Sequence, residues 1–157
     1  MKIELWLTGK TAEPYLIEGI GKYEKKLKHY TSFSIRNFQL KKNSGKGDPL
    51  RLKEEEGKKM VAALQPGDYL VLLDEKGKEY TSREFAGFLE KRMGSSPRRL
   101  IFVVGGAFGF SRDLYERSNF QLSLSRMTFS HQMVRLFFLE QLYRAFSILR
   151  NEPYHND

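Results

Sequence analysis

The sequence predicts an α/β fold, a mostly parallel sheet flanked by helices. Three observations predict it. Strand-like and helix-like patterns alternate from end to end, as they do when crossover helices join parallel strands. Two runs, Tyr69-Leu70-Val71-Leu72-Leu73-Asp74 and Leu100-Ile101-Phe102-Val103-Val104, are continuously apolar, the mark of strands covered on both faces. The second run breaks directly into Gly105-Gly106-Ala107-Phe108-Gly109, a turn at the strand end where open α/β sheets take ligands. With 157 residues and neither a linker nor an internal repeat in view, one domain is expected.

Each element has its own signal. Ile3, Leu5 and Leu7 alternate with Glu4, Trp6 and Thr8 in a strand that Gly9 ends. The acid inside this stretch argues against a signal peptide. Tyr15 to Leu27 places Leu16, Ile20, Tyr23 and Leu27 on one face of a helix. Phe33 to Phe38 alternates again as a second strand. Lys41 to Pro49 is polar and aperiodic, a basic loop. A helix over about 50–64 is anchored by Leu52, Met60, Val61 and Leu64, its charged middle expected in solvent. Gln65-Pro66-Gly67-Asp68 is a turn, and Tyr69 to Asp74 the third strand. Thr81 or Ser82 caps a helix through about Met93, with Phe85, Phe88 and Leu89 inward. Leu100 to Val104 is the fourth strand, and Ser111 caps a short helix from Arg112 to Ser118. A fifth strand covers Gln121 to Ser125, and the last helix runs from about Ser130 to Arg150.

That last helix carries two apolar stripes. Val134, Phe138, Leu142, Ala145 and Leu149 form one; Leu136, Leu139, Tyr143 and Phe146 form the other. A surface helix of a monomer buries one stripe. Two imply a central helix or a subunit interface, and in so small a domain the interface is the expectation, hence a homodimer.

Composition narrows the function. No apolar run approaches the ~18 residues of a membrane span. The absence of cysteine excludes disulfides and thiolate chemistry and agrees with a cytoplasmic location. The net charge of +8 points to a polyanionic partner. The excess is partly local: residues 35–60 hold eight basic side chains against four acidic ones, with Lys41, Lys42 and Lys46 in the loop as candidate RNA contacts. No metal site is expected, because His131 and Arg135 lack the pattern of a zinc helix and no third ligand is in view. There is neither a nucleophile elbow nor a Walker motif. The glycine cluster is not a dinucleotide fingerprint and follows the fourth strand, which disfavours flavodoxin-like and nicotinamide enzymes. Asp74 either hydrogen-bonds a ligand or marks a strand end. His29 complements a helix C-terminus, and His155 sits in a tail that Pro153 stiffens and Tyr154 can dock.

Several stretches together resemble one family. They are Val103-Val104-Gly105-Gly106 with Gly109; Leu124-Ser125-Arg126-Met127-Thr128-Phe129-Ser130-His131-Gln132-Met133-Val134-Arg135; Glu140-Gln141-Leu142-Tyr143-Arg144-Ala145; and Tyr154-His155. The likeness, which covers the whole chain, is to the RlmH/YbeA family of SPOUT-class methyltransferases. It implies a C-terminal trefoil knot, an exception to the usual rule against knots. It also implies a homodimer that moves methyl from S-adenosylmethionine to N3 of a pseudouridine in helix 69 of 23S ribosomal RNA on the assembled ribosome. Carried over by motif, the cofactor pocket comprises Leu73, Gly105, Gly106, Arg126, Met127, Thr128, Phe129, Ser130 and His131. Arg135, Tyr154 and His155 face the target base, with His155 as base and Arg135 stabilising charge on the ring. The family often has a basic residue where this chain has Asn156. The rival readings are a basic RNA-binding ribosome accessory protein with a vestigial pocket, and a tRNA methyltransferase, which the lack of an added RNA-recognition domain disfavours.

Overall fold

A computed structural model describes residues 1–39 and 48–156; Lys41, Lys42 and Lys46 lie outside the described residues. The elements are β1 (Lys2–Thr8), α1 (Pro14–Leu27), β2 (Ser32–Phe38), α2 (Pro49–Ala63), β3 (Asp68–Glu79), α3 (Ser82–Gly94), β4 (Arg99–Val104), α4 (Arg112–Arg117), β5 (Phe120–Ser123) and α5 (Met133–Leu149). The strands form one sheet in the order β2-β1-β4-β3-β5, and every pairing is parallel. β4 enters between β1 and β3, so the glycine turn that follows it opens at the middle of the sheet. Leu73 pairs with both Val104 and Leu122, which brings the carboxyl ends of β3, β4 and β5 to one level.

Helices cover both faces. Ile3, Leu5, Leu7, Phe102 and Val104 pack under α1, α3 and α5. Trp6, Leu70, Leu72, Ile101 and Val103 pack under Met60 of α2 and Leu114 of α4. Even the alternating first strand is therefore buried on both sides, and Glu4 is held there by the Trp6 indole at 2.8 Å and by Arg99 at 3.3 Å.

Local chemistry sets the helix starts. Asp48 accepts from the amides of Leu50 and Arg51 ahead of Pro49, and Thr81 and Glu84 form a reciprocal capping box. Asn151 takes a left-handed conformation, φ 56°, just past α5, which asparagine tolerates better than most residues.

Four expectations change. β3 does not stop at Asp74: a register shift between Leu73 and Lys78 loops the chain out, after which β3 pairs β5 again. A Cβ on Gly77 would stand 2.6 Å from the backbone of Gln121, so only glycine permits that second approach. The middle of α2 is solvated only in part: Glu54, Lys58 and Lys59 are exposed, whereas Glu56 and Gly57 are buried. The last helix begins at Met133 rather than Ser130, since residues 131–132 turn. Finally, the two stripes of α5 need no second subunit: the helix lies between α1 and α3 of its own chain, and Phe138 packs on Phe102 at 4.8 Å between ring centres. Phe137 is the large apolar side chain of α5 that stays exposed.

Candidate active site

A cavity of about 440 Å³ opens at the carboxyl ends of β3, β4 and β5. Two loops wall it, the glycine turn after β4 and the segment that carries the chain from β5 to α5. Leu73, Gly105, Gly106, Met127, Thr128, Phe129, Ser130 and His131 all line it, so the structure brings together nearly all of the pocket residues expected from the sequence. Arg126 does not join them. Its side chain points into solvent and pairs with Glu79 at 3.7 Å, because the chain turns outward there as it leaves β5.

Weaker sequence signals mark the rest of the lining. Asp74 and Glu75, in the loop that β3 throws out, form an acidic rim. Asp74 accepts a short hydrogen bond from the Tyr115 hydroxyl, and burial, then that carboxylate, pushes the phenol up. The Thr128 hydroxyl donates to Glu75 at 2.6 Å and so ties the second loop to β3. Leu122, Leu124 and Val134 supply apolar wall. A second cavity of about 360 Å³ lies alongside and shares Leu122, Leu124 and Phe129 with the first.

The glycine turn has a specific partner. Gly106 and Gly109 close it with an antiparallel bridge, and Gly109 has φ +84°. A Cβ on Gly106 would stand 3.0 Å from Glu56 Oε1. The bare backbone at Gly106 therefore makes room for a carboxyl behind the loop. On the far side of that acid, a Cβ on Gly57 would meet Ser111 Oγ at 2.0 Å, so α2 and α4 also approach through glycine.

Arg135 corrects an expectation. It is fully buried and does not line the cavity. Its Nε donates to the His131 carbonyl, Nη1 to the Gly9 carbonyl and Thr11 Oγ1, and Nη2 to the Thr8 carbonyl, all at 2.9–3.1 Å. Gln132 joins in, accepting from the Ala12 amide and donating to the Lys10 carbonyl. The start of α5 is thus clipped to the loop after β1. A guanidinium with a planar fork suits several carbonyls at once. Within one chain Arg135 thus holds the His131 carbonyl and does not reach the cavity, where the sequence placed it facing the target base.

His131 lines the cavity, and burial, then the Arg135 charge, holds its imidazole below the ordinary range. It stands there as a neutral group at pH 7. Tyr154 and His155 lie elsewhere. The tail folds back on α5, where Tyr154 donates to Glu140 at 3.0 Å and stacks edge-on with Tyr143. Arg144 Nη1 lies 3.0 Å from His155 Nδ1. Because a guanidinium only donates, Nδ1 accepts and the ring is in the Nε2–H tautomer. Neither tail residue lines the first cavity within one chain. Among the described residues no cluster of three metal-ligating side chains occurs, and no helix is long and apolar enough to cross a membrane.

Comparison with known proteins agrees with this architecture. The family described as "Predicted SPOUT methyltransferase" matches residues 1–155. A "Ribosomal RNA large subunit methyltransferase H" from Parabacteroides distasonis is 52% identical over 157 residues, covering all of both chains. The protein of the same name from Cytophaga hutchinsonii is 49% identical, covering 99% of this chain and 100% of its own. A solved structure titled as a probable methylase family protein from Haemophilus influenzae shares the fold at a TM-score of 0.50 and 14% identity, over 99% of this chain and 70% of that one.

Proposed function

The chain belongs to the SPOUT methyltransferase family, and from that premise we propose that it transfers methyl from S-adenosylmethionine to N3 of a pseudouridine in helix 69 of 23S ribosomal RNA, in the cytoplasm, on the assembled ribosome. The observation that carries this reading is the cavity between the glycine turn and the segment 126–131. Its volume suits a nucleoside-sized ligand. Leu73, Leu124 and Val134 offer apolar walls for a purine, the two loops offer backbone polar groups, and Asp74 and Glu75 offer carboxylates for hydroxyl or ammonium groups. The names of the full-length relatives support the ribosomal substrate.

The cofactor, when bound, supplies a methyl group already activated for displacement. The protein then has three tasks. The two loops fix the donor, which converts the transfer into a positioned reaction. His131, neutral and inside the cavity, accepts the N3 proton. Tyr154 and His155 come from a second copy of the chain and contact the target base. Two observations support that dimer: the tail lies off its own cavity, and Phe129 and Phe137, 5.2 Å apart, leave an exposed aromatic pair between the two cavities. The path of α5, from edge strand β5 back between α1 and α3, supports the family's C-terminal knot.

Tritiated methyl incorporation tests the reading. Purified ribosomes are expected to accept methyl, and protein-free large-subunit RNA is not. Equal labelling of both rules out a ribosome-built site. Labelling of neither, with RNA binding retained, leaves an accessory RNA-binding protein. Replacing Lys41, Lys42 and Lys46 with glutamine is expected to lower the log–log salt slope of ribosome binding by up to ~2–3, with cofactor affinity unchanged.

A further inference from the structure

Behind the glycine turn sits a side chain that the reaction above does not use. Glu56 is 8% exposed, and its two carboxyl oxygens lie 3.0 and 3.1 Å from the position a Cβ on Gly106 would take. It touches the wall of the cavity without lining it. No hydrogen bond or ion pair holds it among the described residues. Leaving a buried carboxylate unpaired is costly.

None of the charged neighbours among the described residues compensates it. On α2, Lys53 and Lys59 stand about one turn away, and Lys59 is bonded to the Gln39 carbonyl. From α4, Ser111 and Leu114 pack against the neighbouring Gly57. The ionisable groups of that helix are engaged or exposed: Arg112 pairs with Glu116, Arg117 donates to the Asp68 carbonyl, Tyr115 donates to Asp74, and Asp113 is exposed. From the glycine turn Gly106 faces it. Burial alone therefore acts on the carboxyl and pushes it up to about 7.

We propose that Glu56 separates the methyl donor from the spent product by charge: a buried carboxyl in contact with Gly106, with no partner among the described residues, favours a cationic occupant of the cavity over a neutral one. The inference rests on the reading that the cavity holds S-adenosylmethionine. That donor carries a sulfonium. When methyl leaves, the carbon–sulfur bonding pair stays on sulfur, and the product is a thioether with one positive charge fewer. Entry of the cation favours the ionised carboxylate, and the carboxyl proton goes to solvent. After transfer the cation is gone, the carboxyl takes a proton back, and the attraction ends. Across one residue of low-dielectric protein, a unit charge is worth about tenfold in affinity. Donor would thus be retained and product released at the same pocket. Glu56 is a positioning and selectivity residue, since it acts through the loop and touches neither reacting atom.

Calorimetric titration with S-adenosylmethionine and with S-adenosylhomocysteine tests this, from pH 5.5 to 7.5, in two buffers of different ionisation enthalpy. Wild type is expected to release protons on binding the donor and to bind it about tenfold more tightly at the upper end of the range. Product binding is expected to stay level. Glu56→Gln is expected to lose the carboxyl's share of the pH dependence and to lower the donor-to-product affinity ratio about tenfold, while still binding product. Glu56→Asp, which keeps the charge, is expected to restore part of the ratio. In the unloaded wild type, carbon-13 labelling of glutamate is expected to show one carboxyl titrating near neutral pH. An unchanged ratio in Glu56→Gln overturns the inference, and so does a donor-linked proton release equal to that of product in the wild type. The latter measurement stands even if the variants fail to fold. If wild type binds neither ligand, the cofactor reading itself falls and the inference falls with it.

Discussion

Arg135 and Glu56 are the two ionisable side chains buried directly behind the loops that wall the cavity. They sit on opposite faces of the sheet, Arg135 on α5 and Glu56 on α2. Arg135 donates to four acceptors in two segments of chain. The Glu56 carboxyl lies against Gly106 and has no hydrogen-bond or ion-pair partner among the described residues. Burying a charge costs free energy in both places. At Arg135 hydrogen bonds offset that cost, and the result is a rigid joint between α5 and the loop after β1. At Glu56 no partner among the described residues offsets it, and the result is a group that responds to pH and to whatever enters the cavity. The comparison separates two jobs that look alike in a sequence: holding a loop in place, and sensing its occupant.

The largest expected effect breaks the joint. Arg135→Leu leaves the carbonyls of Thr8, Gly9 and His131 without their donor. A loss of ~3–5 kcal/mol in unfolding free energy is expected from urea denaturation. A loss below ~1 kcal/mol would mean that the joint is not structural and that the guanidinium is available for substrate.

The opposite sign is expected at Glu56. Its folded carboxyl titrates at about 7 against a reference of 4.5. The folded state therefore binds more protons than the unfolded chain between those values. The acid's favourable contribution is complete below about 4.5 and is lost as pH rises through about 7. Glu56→Gln is thus expected to stabilise the ligand-free protein by ~1–3 kcal/mol at pH 8 and to change it far less at pH 4. Thermal melts at the two values check this. Equal shifts at both would show that the carboxyl does not titrate in that window.

The smallest effect sharpens the contrast between joint and sensor at the cavity rim. Thr128→Val removes the hydroxyl that donates to Glu75 at 2.6 Å while keeping shape. Both groups are exposed, so stability is expected to change by less than ~0.5 kcal/mol. Cofactor affinity is expected to fall about three- to tenfold, because the second loop loses its tie to β3. Unchanged affinity by calorimetry would show that the segment 126–131 is already rigid without that bond.

Much of this was legible in the chain. Every strand and helix of the fold was signalled by period or by a capping residue, and most cavity residues were signalled by two loops at strand ends. Three side chains were misread, each for a physical reason. Arg135 follows His131 by one helical turn, which suggested a shared face toward substrate. The loop after β1 returns to meet it there, an encounter between residues more than 120 positions apart. Glu56 lies in a run of charges that reads as a solvated face, and one of those charges is turned inward by α4 packing over α2. Phe138 belongs to one of two stripes that together suggested a partner subunit, yet α1 and α3 of the same chain pack against the helix.

Local pattern along the chain sets the class of the sheet, the order of its elements and the strand ends at which a cavity opens. Those depend on hydrophobic period, on turn residues and on glycine, all of which act over a few positions. Tertiary structure decided which polar side chains face the cavity and which are locked behind it. That choice depends on desolvation and on partners brought from distant segments. Local pattern sets neither, because the same arginine or glutamate is soluble on one side of a backbone and costly on the other.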